Sequence, residues 1–280
     1  MKHNAIVIEP EDNVATLLRI SRLVPEELAL EPLLQEAKRQ LHEEADYLRE
    51  AAHLQRFAML LEDAPEFLVP GVEETLTREN ILAMDLLAGE PIESLTYATQ
   101  TTRDRVVGLL LGLLFRELFD FRLIQTDPNF ANYRYQADHG RIQLLDFGAT
   151  REYSSQQREA LRTLLHACID GDDLDIEHAA ARAGYLEATD PRAYRSGIIA
   201  LLRDATEPVR AEANYNFATS DLAERMRERL VDMRLHNNFW RMPPIGVLFL
   251  HRKLGGLYML LTRLRATVAV RDLTSRLAAD

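Results

Sequence analysis

The sequence predicts an α+β fold, and three observations carry that expectation. Tyr133-Arg-Tyr135, Ala137-Asp-His-Gly140 and Arg141-Ile-Gln-Leu-Leu145 read as strand, turn and returning strand. Apolar residues recur at helical spacing over Asn13–Val24, Leu30–Phe57 and Thr102–Phe121. After Gly148 the pattern is almost wholly helical to the end, broken at Asp170-Gly-Asp-Asp173, at Asp190-Pro191 and at Met242-Pro-Pro-Ile-Gly246.

Taken in order, the first helix is expected over Asn13–Val24 and the second over Leu30–Phe57, the latter with a densely charged outer face. Phe67-Leu-Val-Pro-Gly-Val72 and Asn80-Ile-Leu-Ala-Met-Asp-Leu-Leu87 read as strands around a turn, the second ending at Ala88-Gly-Glu-Pro91. Thr102–Phe121 is a long apolar helix. Its most apolar run, Val106–Phe115, is too short to span a bilayer and reads as a buried core helix. Ser154 or Ser155 is a fitting N-cap for the helix that follows Gly148. No internal repeat and no low-complexity segment interrupts this order.

Composition bounds the function. With 280 residues, 47% hydrophobic and 28% charged, the chain can bury one large core or two modest ones. A formal charge of -11 without clustered Lys and Arg argues against a general nucleic-acid binder, because neutralising phosphates needs such clusters. Cys168 is the only cysteine, so an intrachain disulfide and a cysteine zinc cluster are both excluded, and a reducing, cytoplasmic setting is expected. The N-terminal residues are too short in apolar character for a signal peptide.

Chemistry concentrates in Asp127-Pro-Asn-Phe-Ala-Asn132 and Leu144-Leu-Asp-Phe-Gly148. Phosphoryl transfer needs metal held against phosphates by an amide oxygen and a carboxylate converging from two strands. Asn132 and Asp146 fit those roles, because the hairpin between them brings one back beside the other. Asp127 precedes Asn132 by the spacing that the kinase catalytic loop uses for a base and a metal-holding amide. Gly148 lets the chain turn away after Asp146. A lone Asp-Phe-Gly carries little information, and Asp-Pro and Asn are common in turns; the ordered combination is what is specific.

Gln125-Thr-Asp-Pro-Asn-Phe-Ala-Asn132 together with Leu144-Leu-Asp-Phe-Gly-Ala-Thr-Arg-Glu-Tyr153 resembles the AarF/UbiB, coenzyme-Q-associated atypical kinases. Glu44-Ala-Asp-Tyr-Leu-Arg-Glu50 is similar to that family's Glu-x-Asp segment, and His251-Arg-Lys-Leu-Gly-Gly256 to a late helix of its coenzyme Q branch. The resemblance implies a protein-kinase-like fold, with a truncated N-terminal lobe over residues 1–87 and a mostly helical C-terminal lobe over 88–280. It implies Mg-ATP as cofactor, with Asp127 as the catalytic aspartate and Asn132 and Asp146 as metal ligands. Glu44 and Asp46 would match the Glu-x-Asp pair, Glu50 the glutamate that pairs with a strand lysine, and Met84, Asp85 and Leu86 the segment against adenine. For Glu44, Asp46 and Glu50 a solvated helix face remains the competing reading, and for Met84 to Leu86 plain strand packing.

Two departures from protein kinases bear on substrate. Asn129 stands where they place a phosphate-touching lysine, and Ala149-Thr-Arg-Glu-Tyr153 runs straight toward a helix, leaving no room for an activation segment. A peptide-docking platform is therefore not expected. The departure from the family is larger: its Lys-x-Gly-Gln insertion, alanine-rich phosphate loop and strand lysine have no counterpart here, and Lys2 does not replace that lysine. The expected function is an atypical kinase or ATPase supporting ubiquinone biosynthesis, either a fragment of a longer member or a degenerate relative that is inactive as it stands. The intact Asp127, Asn132 and Asp146 weigh toward the fragment.

The alternative is a non-catalytic, pseudokinase-like module that docks biosynthetic enzymes or an isoprenoid lipid precursor. A related antibiotic or choline phosphotransferase shares the metal-holding logic but usually shows His-x-Asp where this chain has Gln125-Thr-Asp127. Peripheral membrane contact through the apolar Leu254–Leu264 competes with simple packing of a terminal helix.

Overall fold

The computed structural model describes Arg39, residues 46–235 and residues 244–275. The helix expected over Asn13–Val24, the start of the one expected from Leu30, Lys2 and Glu44 lie outside the described residues. The described chain divides into two compact units. One comprises the described residues up to Ile92 together with Gln125–Thr150; the other comprises Glu93–Ile124 and the residues from Arg151 onward.

From residue 46 on, the first unit holds helix α1 and a small sheet. Helix α1 (Tyr47–Leu60) starts where the Asp46 side chain accepts the Arg49 amide at 3.0 Å, satisfying one of the donors a helix leaves open. Its inward stripe is Glu50, Ala51, Leu54 and Phe57, at the spacing that puts residues on one face. Leu54 and Phe57 are fully buried, each contributing about 1.5–3 kcal/mol by leaving water.

The sheet has four strands. β1 (Phe67–Leu68) runs parallel to β4 (Arg141–Leu144), β4 is antiparallel to β3 (Tyr133–Gln136), and β3 is antiparallel to β2 (Glu90–Pro91). The β3–β4 hairpin is the one expected, in register Tyr133 to Leu144 and Gln136 to Arg141, with Gly140 at φ 63° completing the turn. Tyr133 and Tyr135 are buried while Arg134 and Gln136 are half-exposed, the alternation of a half-buried strand.

The strand pair expected over 67–87 is reduced. Phe67 and Leu68 pair with β4, whereas Val72 bridges to Met84 and Arg78 to Ile81 as isolated contacts. Ile81, Met84 and Leu86 are exposed, so this stretch lacks the buried face that would extend the bridges into a ladder.

The second unit is mostly helical. Helix α2 (Gln100–Phe115) is capped by Thr99 and buries Val106, Val107, Leu110, Leu111, Leu113, Leu114 and Phe115, which is burial nearly all round. The long helix expected to Phe121 does reach it, but the last turns, Arg116–Phe121, are π-helical and end at Arg122, in the left-handed region at φ 54°. Ser154 and Gln157 form a reciprocal capping box at the start of α3 (Ser155–Asp170). Asp172 and Asp175 do the same for α4 (Asp173–Arg182), so the expected break at 170–173 is a cap-to-cap junction.

Helices α5 (Arg192–Ala205), α6 (Glu207–Arg210), α7 (Leu222–Leu235), α8 (Ile245–Arg263) and α9 (Val270–Ser275) follow. Leu164, Cys168, Ile176, Ala180, Tyr194, Leu202 and Met233 form one continuous core among α3, α4, α5 and α7. The pattern after Gly148 is not purely helical: Thr150–Glu152 is a short strand, and β5 (Tyr215–Asn216) pairs with β6 (Thr267–Val268). Among the described residues, no helix is long and apolar enough to cross a membrane.

Candidate functional site

Every described group of the expected metal site lies in the first unit. Asn129 caps a short 3-10 turn, Phe130–Asn132, by accepting the Ala131 amide at 3.0 Å. That turn delivers Asn132 to the base of β3, where the residue is buried. The Asn132 Nδ2 donates to Asp127 Oδ2 at 2.7 Å, so the five-residue spacing closes into a direct contact. On the neighbouring strand, the Leu145 amide donates to the Asn132 carbonyl at 3.0 Å, tying the approach of Asp146 to the other half of the site.

Asp146 Oδ1 accepts the Gly148 amide at 2.9 Å, and its carboxyl also hydrogen-bonds to Glu50 of α1. Burial raises the Asp146 pKa above the ordinary carboxylate value, and the nearby Asp127 charge pushes the same way. Hydrogen bonds from Gly148 and Glu50 offset part of that rise. Glu50 is itself buried, so the solvated helix face does not describe it. A Cβ built on Gly148 would lie 3.5 Å from Asp146 Oδ1 and 3.6 Å from Glu50 Oε2, so the two carboxyl groups converge on this glycine.

The donor set suits a hard divalent cation. Magnesium keeps several waters and takes one or two carboxylates, and the residues here are carboxylates and an amide with no soft ligand. Asp127 and Asp146 are both half-buried and near enough for the Asp127 charge to raise the Asp146 pKa, a repulsion that a cation between them would relieve. Among the described residues no group of three or more His, Cys, Asp or Glu side chains is placed to hold a metal ion, so a cation here would rest on the Asn132 amide, one or two carboxylates and water.

The remaining expected residues divide. Asp46 serves as the cap of α1, and Met84 is exposed and bridges to Val72. Leu86 is 89% exposed, and neither Met84 nor Leu86 takes part in the hydrogen-bonded cluster. Asp85 accepts the Gly71 amide at 3.1 Å. Residues of α1 to which the sequence reading gave no role also reach the Asp146 loop. His53 Nδ1 meets the Phe147 carbonyl at 3.2 Å, Arg49 Nη2 donates to the Thr150 carbonyl at 2.9 Å, and the Phe57 and Phe147 rings are 4.3 Å apart. Their spacing of four along α1 was the one available signal.

A profile of the ABC1 atypical kinase-like domain matches residues 9–180. The chain belongs to the ABC1 atypical kinase-like family. It is 36% identical over 261 residues to the Rattus norvegicus protein named atypical kinase COQ8B, mitochondrial, covering 93% of this chain and 49% of that one. It is 31% identical over 259 residues to the Saccharomyces cerevisiae atypical kinase COQ8, mitochondrial, covering 92% and 51%. The chain thus spans about half the length of the curated relatives it matches. Among solved structures, the complex of Rv3197 with erythromycin from Mycobacterium tuberculosis superposes with a TM-score of 0.71 at 20% identity, covering 96% of this chain and 67% of that one. That likeness is one of fold, and the kinase-like fold expected from the motifs is the one found. The ABC1 family is also the one that the motifs around Asp127 and Asp146 resemble.

Proposed function

We propose that this ABC1-family chain is an atypical kinase or ATPase that uses Mg-ATP and supports ubiquinone biosynthesis. The observation that carries the reading is the Asn132–Asp127 hydrogen bond at 2.7 Å beside a half-buried Asp146, an amide and two carboxylates gathered near the ends of adjacent strands. Asn132 and Asp146 would hold magnesium, which when bound neutralises phosphate charge. Because Asn132 gives its amide nitrogen to Asp127, its carbonyl oxygen is the atom it offers a cation. Asp127 then orients the acceptor hydroxyl or water and takes its proton on a carboxylate oxygen. Burial around Asn132 limits the water that would compete for these groups.

In the same reading Met84 and Leu86 present apolar surface to the adenine ring, and Asp46 and Glu50 form the helix side of the nucleotide site. The exposure of Met84 and Leu86 suits residues covered only when nucleotide is bound. A reducing compartment, cytoplasmic with peripheral contact at a membrane, completes the assignment. It rests on the lone buried Cys168 and on Leu254 and Met259, two exposed apolar side chains of helix α8. Ubiquinone-biosynthesis enzymes or an isoprenoid precursor are the partners this implies.

One observation favours the non-catalytic module. Glu50, which the resemblance pairs with a lysine, hydrogen-bonds to Asp146, an arrangement that would compete with a cation for that carboxyl. Measuring ATP hydrolysis of the chain and of Asp127→Asn separates the readings. Hydrolysis that falls by about 10²–10⁴-fold in the variant while nucleotide binding persists supports the enzyme. Nucleotide binding without hydrolysis in either protein supports the module.

A further inference from the structure

We propose that His53 is a positioning residue, which holds the Phe147–Gly148 peptide so that its amide donates to the carboxylate of Asp146; its consequence for magnesium rests on the function proposed above. The argument is the geometry of a single planar group. The Phe147 carbonyl and the Gly148 amide are the two ends of one peptide unit, and resonance keeps that unit rigid. At one end the carbonyl meets His53 Nδ1 at 3.2 Å. At the other the amide donates to Asp146 Oδ1 at 2.9 Å. A carbonyl oxygen only accepts, so His53 must carry its hydrogen on Nδ1 to make this bond.

The plane is therefore fixed from both sides, and the relay runs from the α1 imidazole through the peptide to Asp146. Its weak point is Gly148. Lacking a Cβ, glycine lets the preceding peptide rotate at little steric cost, so the sequence alone does not hold the amide on Asp146. The loop's other carbonyls are anchored elsewhere. Ala149 O accepts from the Thr126 amide at 3.0 Å and its hydroxyl at 2.7 Å, and Thr150 O accepts from Arg49. Among the described residues, the contact from His53 is the one that acts on the carbonyl of the peptide whose amide touches Asp146.

With Asp146 Oδ1 engaged by Gly148, the carboxylate keeps a defined orientation before any cation arrives. Partners behind metal ligands commonly change metal affinity by about 10–100-fold when removed. His53 would act in that way, touching neither metal nor substrate.

The test uses the full chain as wild type, His53→Leu, His53→Asn and Asp146→Asn. Asparagine is the conservative variant, because its Nδ2 occupies nearly the place of the imidazole Nδ1 and can donate to the same carbonyl. Amide hydrogen exchange at Gly148, read without metal or nucleotide, is expected to accelerate in His53→Leu and to stay near wild type in His53→Asn. Unchanged Gly148 exchange in His53→Leu overturns the proposal. Calorimetric titration with ATP, with and without magnesium, supplies the second readout. His53→Leu should lose about 10–100-fold in magnesium-dependent affinity, keep its magnesium-free binding, and be rescued by asparagine. Faster exchange with intact magnesium affinity overturns the positioning role. If wild type and Asp146→Asn bind ATP identically with and without magnesium, the proposed function fails, and the exchange measurement still decides the relay.

Discussion

At Asp146 binding and stability pull apart. Its folded pKa is raised, first by burial and then by Asp127, so the folded state holds the proton more tightly than the unfolded chain does. The stability from this group is fully present below the unfolded carboxylate pKa and is lost as pH rises through the folded value. Asp146→Asn, which cannot ionise, should therefore raise the thermal midpoint at pH 8 and have a smaller effect at pH 5, while abolishing magnesium-dependent ATP binding. Equal shifts at both pH values would contradict the electrostatic cause. The proximity of Asp127 and Asn132 was legible because a fixed spacing closed into one contact. The carboxyl pairing of Glu50 with Asp146 was not, because 96 positions separate residues that only the packing of α1 brings together.

Among the elements, helix ends were the most legible part of the fold, since caps are local chemistry. Ser154 before α3 and Asp172 before α4 both fall where turn residues interrupt the apolar period. Ser154→Ala should cost about 0.5–2 kcal/mol in denaturant unfolding, by removing a bond to the Gln157 amide. The π-helical turns after Phe115 were not legible, because a one-residue slip of register barely disturbs an apolar run. Within those turns Glu117 faces Lys253 of α8 at 3.4 Å, and both side chains are almost fully buried. Lys253→Met should destabilise by about 3–5 kcal/mol by stranding the carboxylate, and adding Glu117→Gln should recover part of that loss. A double variant no more stable than Lys253→Met would show that the two charges do not act as a pair.

For the whole molecule, the residues proposed for the site that are described, Asp46, Glu50, Met84, Leu86, Asp127, Asn132 and Asp146, all belong to the first unit. Mg-ATP should therefore slow amide exchange over 46–92 and 125–150 more than over 155–235, and protection centred on 155–235 would contradict this assignment. The α+β class was legible from the hairpin and the helical remainder, and the kinase-like fold from the family resemblance of the motifs around Asp127 and Asp146. The division into units was not, because it depends on which distant segments pack together. That division also sets an order of events during synthesis. Residues 93–124 leave the ribosome between the two halves of the first unit, so α1 is made long before its packing partner Phe147 exists. Until then Leu54 and Phe57, destined for full burial, stay wet on a nascent chain. The newly made protein thus passes through a window in which it is a natural client for chaperones that grip exposed apolar helices.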